Sequence, residues 1–317
     1  MKKLLFVLLL LFLSGCTKGE SSDNPEINEE KPYTLDPVDG DVILVYADGY
    51  EAETFITLTE EIEIGSLLCR VEDILAVDTT GNRILQFDYT GELIGSVGTT
   101  GNGAGEFLNP LWVTAYEKKL YVLDSGNMRI VVLNSDLSVE KDISLEGFGI
   151  HRFGPTFSSL AVLNEDMIFI TMHDFDDNKA FLLKNRKELV TLEENFEGIC
   201  AVGGGKAYFA QSMVDGRTGK VFYAEYDEEA GLIKNRLPYF NAPYDFIISG
   251  EDMYVLNGFH NAVERCALNG DYKESIYKFT KSIDDRDDVI RLAMDADGNF
   301  YAYDNYNHVI QKVYKTK

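Results

Sequence analysis

The chain has 317 residues, with 53 Asp and Glu against 29 Lys and Arg, a formal net charge of -24 and 45% hydrophobic residues. That balance argues against nucleic-acid binding and against adsorption to an anionic membrane through a basic patch, both of which need clustered Lys and Arg. The apolar content is enough for a sizeable core and excludes wholesale disorder.

Lys2 and Lys3 precede ten apolar residues, Leu4 to Leu13. Ten is too few to span a bilayer, which takes about 20, but suits a secretory signal peptide. The run ends Leu13-Ser14-Gly15-Cys16. This resembles the lipobox of bacterial lipoproteins, in which the peptide is cleaved before the Cys and the thiol is lipidated. The resemblance implies a signal peptide over 1–15, a lipid anchor at Cys16 and a mature chain starting there. Thr17 stands where an Asp holds Gram-negative lipoproteins at the inner membrane, so the resemblance implies the outer membrane, facing the periplasm or the cell surface. Residues 16–40 carry seven acids, three prolines and few apolar residues, and read as a flexible acidic tether.

The body, residues 41–317, is a repeat. Ile74-Leu75-Ala76-Val77-Asp78, then Gly81 and Arg83-Ile84-Leu85-Gln86-Phe87, returns 46 residues later. The second copy is Leu120-Tyr121-Val122-Leu123-Asp124, then Asn127 and Arg129-Ile130-Val131-Val132-Leu133. Fainter copies start at Ile168, Ala207, Met253 and Phe300. Each of these six units has room for four short strands, which predicts an all-β fold: a six-bladed β-propeller of four-stranded antiparallel blades. The last unit holds only three strands before Lys317. The ring is therefore expected to be closed by an N-terminal strand, either Val42–Tyr46 or Phe55–Leu58. The stretch Gly98 to Pro110, with the following Tyr-Val-Leu-Asp-Ser-Gly-Asn-Met-Arg-Ile, resembles an NHL repeat. The whole resembles the six-bladed propeller lipoproteins of gut-type bacteria. The single Trp112 excludes a tryptophan–aspartate propeller.

Antiparallel strands counted in order put the loop between second and third strands on the same face as the loop between blades. His173, His260 and His308 fall in the former and His151 in the latter. Asp78, Asp124, Asn257 and Asp304 end second strands on that face. These eight residues are the candidate ligand-binding set, at the mouth of the central channel. Asp78 and Asp124 are also expected to accept hydrogen bonds from their turns, and Arg83 and Arg129 to pair with acids.

Other signatures fail. Asp174-Phe175-Asp176-Asp177-Asn178 starts like a calcium loop but has Lys179 where Gly is needed. Gly101-x-Gly103-x-Gly105 has no helix behind it to bind a nucleotide. Asp284, Asp285, Asp287 and Asp288 read as a solvated loop. No Gly-x-Ser-x-Gly or His-Glu-x-x-His is present. Cys69, Cys200 and Cys266 show no metal spacing and are expected buried and free.

The resulting expectation is a cell-envelope lipoprotein whose propeller binds a glycan, a peptide or an envelope protein without catalysis, as a monomeric ring and without a cofactor. The alternative is a metal-dependent lyase or lactonase-type hydrolase with a divalent cation at the channel mouth. The net charge favours neutral or cationic ligands.

Overall fold

The computed structural model describes residues 47–148, 156–173, 178–194, 196, 198–211, 222–236, 243–258, 260–268, 271–280 and 289–316. The expected signal peptide and tether, Cys16, Val42–Tyr46, His151 and the two Asp-rich segments at 174–177 and 284–288 lie outside them.

The described residues form six four-stranded antiparallel sheets. The first strand in the chain, β1 (Tyr50–Thr57), is set aside for the last blade. Blade 1 is β2 (Ile64–Cys69), β3 (Ile74–Asp78), β4 (Arg83–Phe87) and β5 (Leu93–Val97). Blade 2 is β6 (Pro110–Tyr116), β7 (Lys119–Asp124), β8 (Arg129–Asn134) and β9 (Val139–Ser144). Blade 3 is β10 (Thr156–Asn164), β11 (Met167–His173), β12 (Lys179–Lys184) and β13 (Glu188–Glu194). Blade 4 is β14 (Gly198–Gly203), β15 (Lys206–Gln211), β16 (Phe222–Asp227) and β17 (Gly231–Arg236). Blade 5 is β18 (Pro243–Ser249), β19 (Asp252–Asn257), β20 (Ala262–Ala267) and β21 (Tyr272–Lys278). Blade 6 is β22 (Val289–Met294), β23 (Phe300–Asp304) and β24 (Val309–Lys315), completed by β1.

The closure follows the second of the two expected routes. Tyr50 pairs with Lys315 and Thr57 with Val309, so Phe55 and Ile56 lie in the closing strand. The closure gives β24 an antiparallel partner and ties the two ends of the ring together.

Alternation along the second strands explains why each blade needs two neighbours. Ile74 and Ala76 of β3 pack with Ala293, Tyr301 and Tyr303 of blade 6. Leu75 and Val77, between them in sequence, pack with Val113, Leu120 and Val122 of blade 2. All four are fully buried. At roughly 1.5–3 kcal/mol per buried aliphatic side chain, both faces must be covered for the blade to be stable.

The first strand of every blade lines the central channel, and consecutive first strands touch around the ring. A bulge interrupts the pairing near the start of the first strand in blades 1, 2, 3, 5 and 6. A bulge re-aims the residue that follows it.

Candidate functional site at the channel mouth

The loop-face acids hold their own turns. Asp78 is fully buried and accepts Gly81 N at 2.7 Å and Arg83 Nε at 2.8 Å. Asp304, equally buried, accepts Tyr306 N at 3.0 Å, Asn307 N at 2.8 Å and Asn307 Nδ2 at 2.8 Å. Asp124 accepts Leu108 N, Asn127 Nδ2 and Arg129 Nε, each at 2.8 Å. A strand-ending Asp whose oxygens receive the next turn's N–H groups is an Asx-type turn. Four residues after the strand end, the turn takes a left-handed residue in four blades: Asn82 (φ 54°), Met128 (φ 51°), Asn261 (φ 49°) and His308 (φ 51°). His308 is thus a turn residue, and its Nδ1 is buried with no partner among the described residues.

Blade 5 varies the theme. Asn257 replaces the Asp, and the carboxylate is supplied by Glu264, seven residues on and fully buried. Asn257 Nδ2 donates to Glu264 Oε2 at 3.1 Å, and His260 Nδ1 lies 2.6 Å from Glu264 Oε1. Here two of the candidate residues meet, Asn257 Nδ2 and His260 Nδ1 being 3.2 Å apart. His173 ends β11, its backbone paired with Thr156. Its side chain lies outside the described residues, as does all of His151.

The glycine-rich loop turns carbonyls toward Arg129. Arg129 donates to Asn102 O at 2.9 Å, Gly103 O at 3.2 Å and Glu106 O at 2.7 Å. It also reaches Asp142 Oδ2 at 2.7 Å. Gly103 N is taken by Glu106 Oε2 at 2.7 Å.

The residues that converge on the channel are others. Ser66 Oγ accepts Val113 N of the next blade at 2.8 Å. Ser159 Oγ accepts Cys200 N at 2.8 Å, and Asp245 Oδ2 accepts Leu292 N at 2.9 Å. In blades 1, 3 and 5, a side-chain oxygen thus captures an N–H of the neighbouring innermost strand, which would otherwise lack a partner. The residues just before those donors are Trp112, Ile199 and Arg291, so oxygen-bearing and larger side chains alternate around the ring.

Asp245 and Arg291 are the only carboxylate and cation of the six innermost strands. Asp245 is buried, and its second oxygen accepts Phe246 N at 2.9 Å. Burial pushes its carboxyl up to about 6, against the opposing pull of Arg291 and of its two N–H donors. Arg291 reaches across the ring seam, donating Nε to Gly65 O of blade 1 and Nη1 to Ile290 O at 2.8 Å. Its guanidinium lies over the Trp112 ring, 5.7 Å from the centroid. Burial lowers its pKa from the ordinary value, with Asp245 countering. A channel cavity of about 190 Å³ lies beside this group, lined by Trp112, Asp245, Leu67, Leu160, Ile248 and Leu292 among others.

Asp245, Arg291 and Trp112 lie in innermost strands and belong to no turn motif, so the loop-face pattern in the sequence does not include them. The available signal was one Asp in Pro-Tyr-Asp-Phe-Ile-Ile and one Arg in Val-Ile-Arg-Leu-Ala-Met, charges set inside apolar strands. The three cysteines are free, as expected. Cys200 and Cys266 are buried but Cys69, at the end of β2, is only partly so, which corrects that expectation. Burial pushes the Cys200 thiol up to about 12 and raises the other two as well. Among the described residues no group of three or more His, Cys, Asp or Glu side chains is placed to hold a metal ion.

Solved structures share the fold at low identity. A gluconolactonase of Xanthomonas campestris is 12% identical with a TM-score of 0.59, over 83% of this chain and 89% of its own. Virginiamycin B lyase from Staphylococcus aureus is 10% identical with a TM-score of 0.56, over 83% of this chain and 99% of its own. A protein of unknown function from Bacteroides thetaiotaomicron is 12% identical with a TM-score of 0.55, over 83% and 75%. At such identity the likeness concerns the fold alone. No curated protein matches the sequence. A family described as "6-bladed beta-propeller" matches residues 31–203, more than half of the chain, and the chain belongs to that family.

Proposed function

We infer that the chain is a cell-envelope lipoprotein whose propeller is a non-catalytic module for binding a ligand or a protein. The observation that carries the binding reading is the state of the loop-face acids. Asp78, Asp124 and Asp304 are buried and engaged within their own turns, so they serve the scaffold and are not poised for proton transfer or metal ligation. The lipoprotein reading rests on Leu13-Ser14-Gly15-Cys16 and the acidic 16–40 segment. It implies an outer-membrane anchor, and partners drawn from glycans, peptides or other envelope proteins. The kinship to NHL-type repeats is supported by the Asp–turn–Arg unit, in which Arg83 and Arg129 bond the Asp five residues before. Metabolic labelling with an alkynyl fatty acid tests the anchor: the wild type is labelled and Cys16→Ser is not, whereas an unlabelled wild type sinks it.

A second reading, a metal-dependent lyase or lactonase-type hydrolase, is favoured by His260. Glu264 holds its Nδ1 as a carboxylate holds a catalytic or metal-binding imidazole. Metal analysis of protein purified without chelator or histidine tag separates the two readings. Metal-free protein is expected for the binding module. A stoichiometric metal, lost in His260→Ala, overturns it in favour of the enzyme.

A further inference from the structure

Arg291 is a charge with an incomplete set of partners. A guanidinium only partly open to water, as here, needs a counter-charge and acceptors for the donors it turns inward. Asp245 supplies attraction but no contact, because both its oxygens are taken by backbone N–H groups. Two of the guanidinium nitrogens bond carbonyls, and Nη2 donates to no atom of the described residues. The indole N–H of Trp112 likewise has no acceptor among them. Four buried side-chain atoms lack partners among the described residues, and these two donors are not among the four, so both reach solvent. Among the described residues the mouth therefore presents two free N–H donors and a positive charge, with the Asp245 carboxylate already engaged by backbone N–H groups.

We propose that Arg291 and Trp112 form an anion site at the channel mouth, which takes the carboxylate head of a small acid with an apolar body. The fork of Arg matches a planar carboxylate, and a charge-assisted bond there completes its hydrogen bonding. The cavity wall beyond carries the apolar side chains of Leu67, Leu160, Phe246, Ile248 and Leu292, beside Asp245 and the backbone of the innermost strands. At about 190 Å³ the cavity is below the roughly 300–1,000 Å³ of drug-sized ligand sites, which limits the occupant to a small molecule. The net charge of -24 repels anions at long range, but the contact surface at the mouth has the opposite preference. The proposal names the ligand class of the binding module, and so rests on that reading.

Trp112 is the chain's single tryptophan, so its emission reports this site alone. The purified chain is titrated with hexanoate, with 1-hexanol, and with inorganic phosphate at matched ionic strength. The expected result is a saturable change with hexanoate, at least about tenfold weaker with 1-hexanol and in Arg291→Gln. Arg291→Lys, which keeps the charge and loses the fork, falls between and decides the matter if Arg291→Gln does not fold. No saturation by hexanoate up to about 10 mM overturns the proposal. So does equal binding of hexanol, or of hexanoate by a folded Arg291→Gln. Phosphate binding as tight as hexanoate overturns the assignment to carboxylates. These failures leave the binding-module reading standing, since that reading falls only on a stoichiometric, His260-dependent metal.

Discussion

The carboxylate of Asp245 accepts the backbone N–H of Leu292 in the next blade at 2.9 Å, the task that Ser66 performs for Val113 with a neutral hydroxyl. The difference between the two is charge. Asp245 is buried, and its pKa is raised from 3.8 to about 6 in the folded chain. A carboxyl that holds its proton more tightly when folded stabilises the fold at low pH, and that contribution is lost as pH rises from 3.8 to about 6. Two units correspond to about 3 kcal/mol. Asp245→Ser keeps an acceptor and removes the titration. The stability of wild type relative to Asp245→Ser is therefore expected to fall as pH goes from 4 to 7. Urea unfolding at several pH values measures it, and a constant difference refutes the account.

Arg129 and Arg83 occupy the same place in adjacent blades and are expected to differ sharply. The Arg83 side chain is 41% exposed and makes one ion pair, with Asp78. The Arg129 side chain is 10% exposed and joins Asp124, Asp142 and three carbonyls of the glycine-rich loop. Removing Arg129 strands the buried Asp124 and releases the loop. Arg129→Met should cost about 3–5 kcal/mol. Arg83→Met should cost less, about 1–2 kcal/mol, because the half-exposed guanidinium is screened by water and the buried Asp78 keeps its turn N–H donor. Thermal unfolding of the two variants side by side checks this, and equal losses contradict it.

Ring closure gives a third test. Pairing β1 with β24 buries Ile56, and sets Phe55 edge-to-face against Tyr301 with centroids 4.9 Å apart. Deleting residues 41–60 leaves β24 as a bare edge and uncovers Tyr301. Loss of a single cooperative melting transition is expected. An unchanged transition would mean that the ring closes without its N-terminal strand.

The fold was legible because the repeat pairs strand ends with turn chemistry. Asp78 to Arg83 and Asp124 to Arg129 each mark where a second strand stops and a third begins, and the strands start and stop there in the structure. The same legibility misdirected the site. Polar residues at turns look functional in a sequence, yet Asp78, Asp124 and Asp304 are spent on their own turns. Arg291 and Gly65 meet across 226 residues, and Trp112 joins them from a third blade. Such a group exists only after the ring closes, so no local pattern could announce it.

That seam rests on Gly65. A Cβ there would collide with the Leu111 carbonyl and sit 2.7 Å from Thr79 Oγ1. The carbonyl of the same residue receives Arg291 Nε. Gly65→Ala should therefore push blades 1 and 2 apart and withdraw one of the acceptors that aim the guanidinium. A loss of about 1–3 kcal/mol is expected, as for overpacking elsewhere. Trp112 emission should shift to longer wavelength in the folded variant, because the ring loses its cover. An unshifted spectrum with wild-type stability would show that the seam tolerates a methyl group and that Arg291 is held by other means.

The turn of blade 5 offers the last test, of how a carboxylate was relocated. Asn257 donates to Glu264 where blades 1, 2 and 6 use an Asp as acceptor. Asn257→Asp would set two buried carboxylates against each other at the present separation of 3.1 Å. Like charges at that distance cannot both ionise cheaply. The variant should lose about 2–4 kcal/mol at neutral pH. It should regain part of that in acid, where one carboxyl takes a proton and becomes a donor. Glu264→Gln in the same chain restores a donor–acceptor pair and should rescue stability at pH 7. The double-mutant cycle measures the coupling directly. Additive losses would show that the two side chains do not depend on one another, and that His260 is held in place without their pairing.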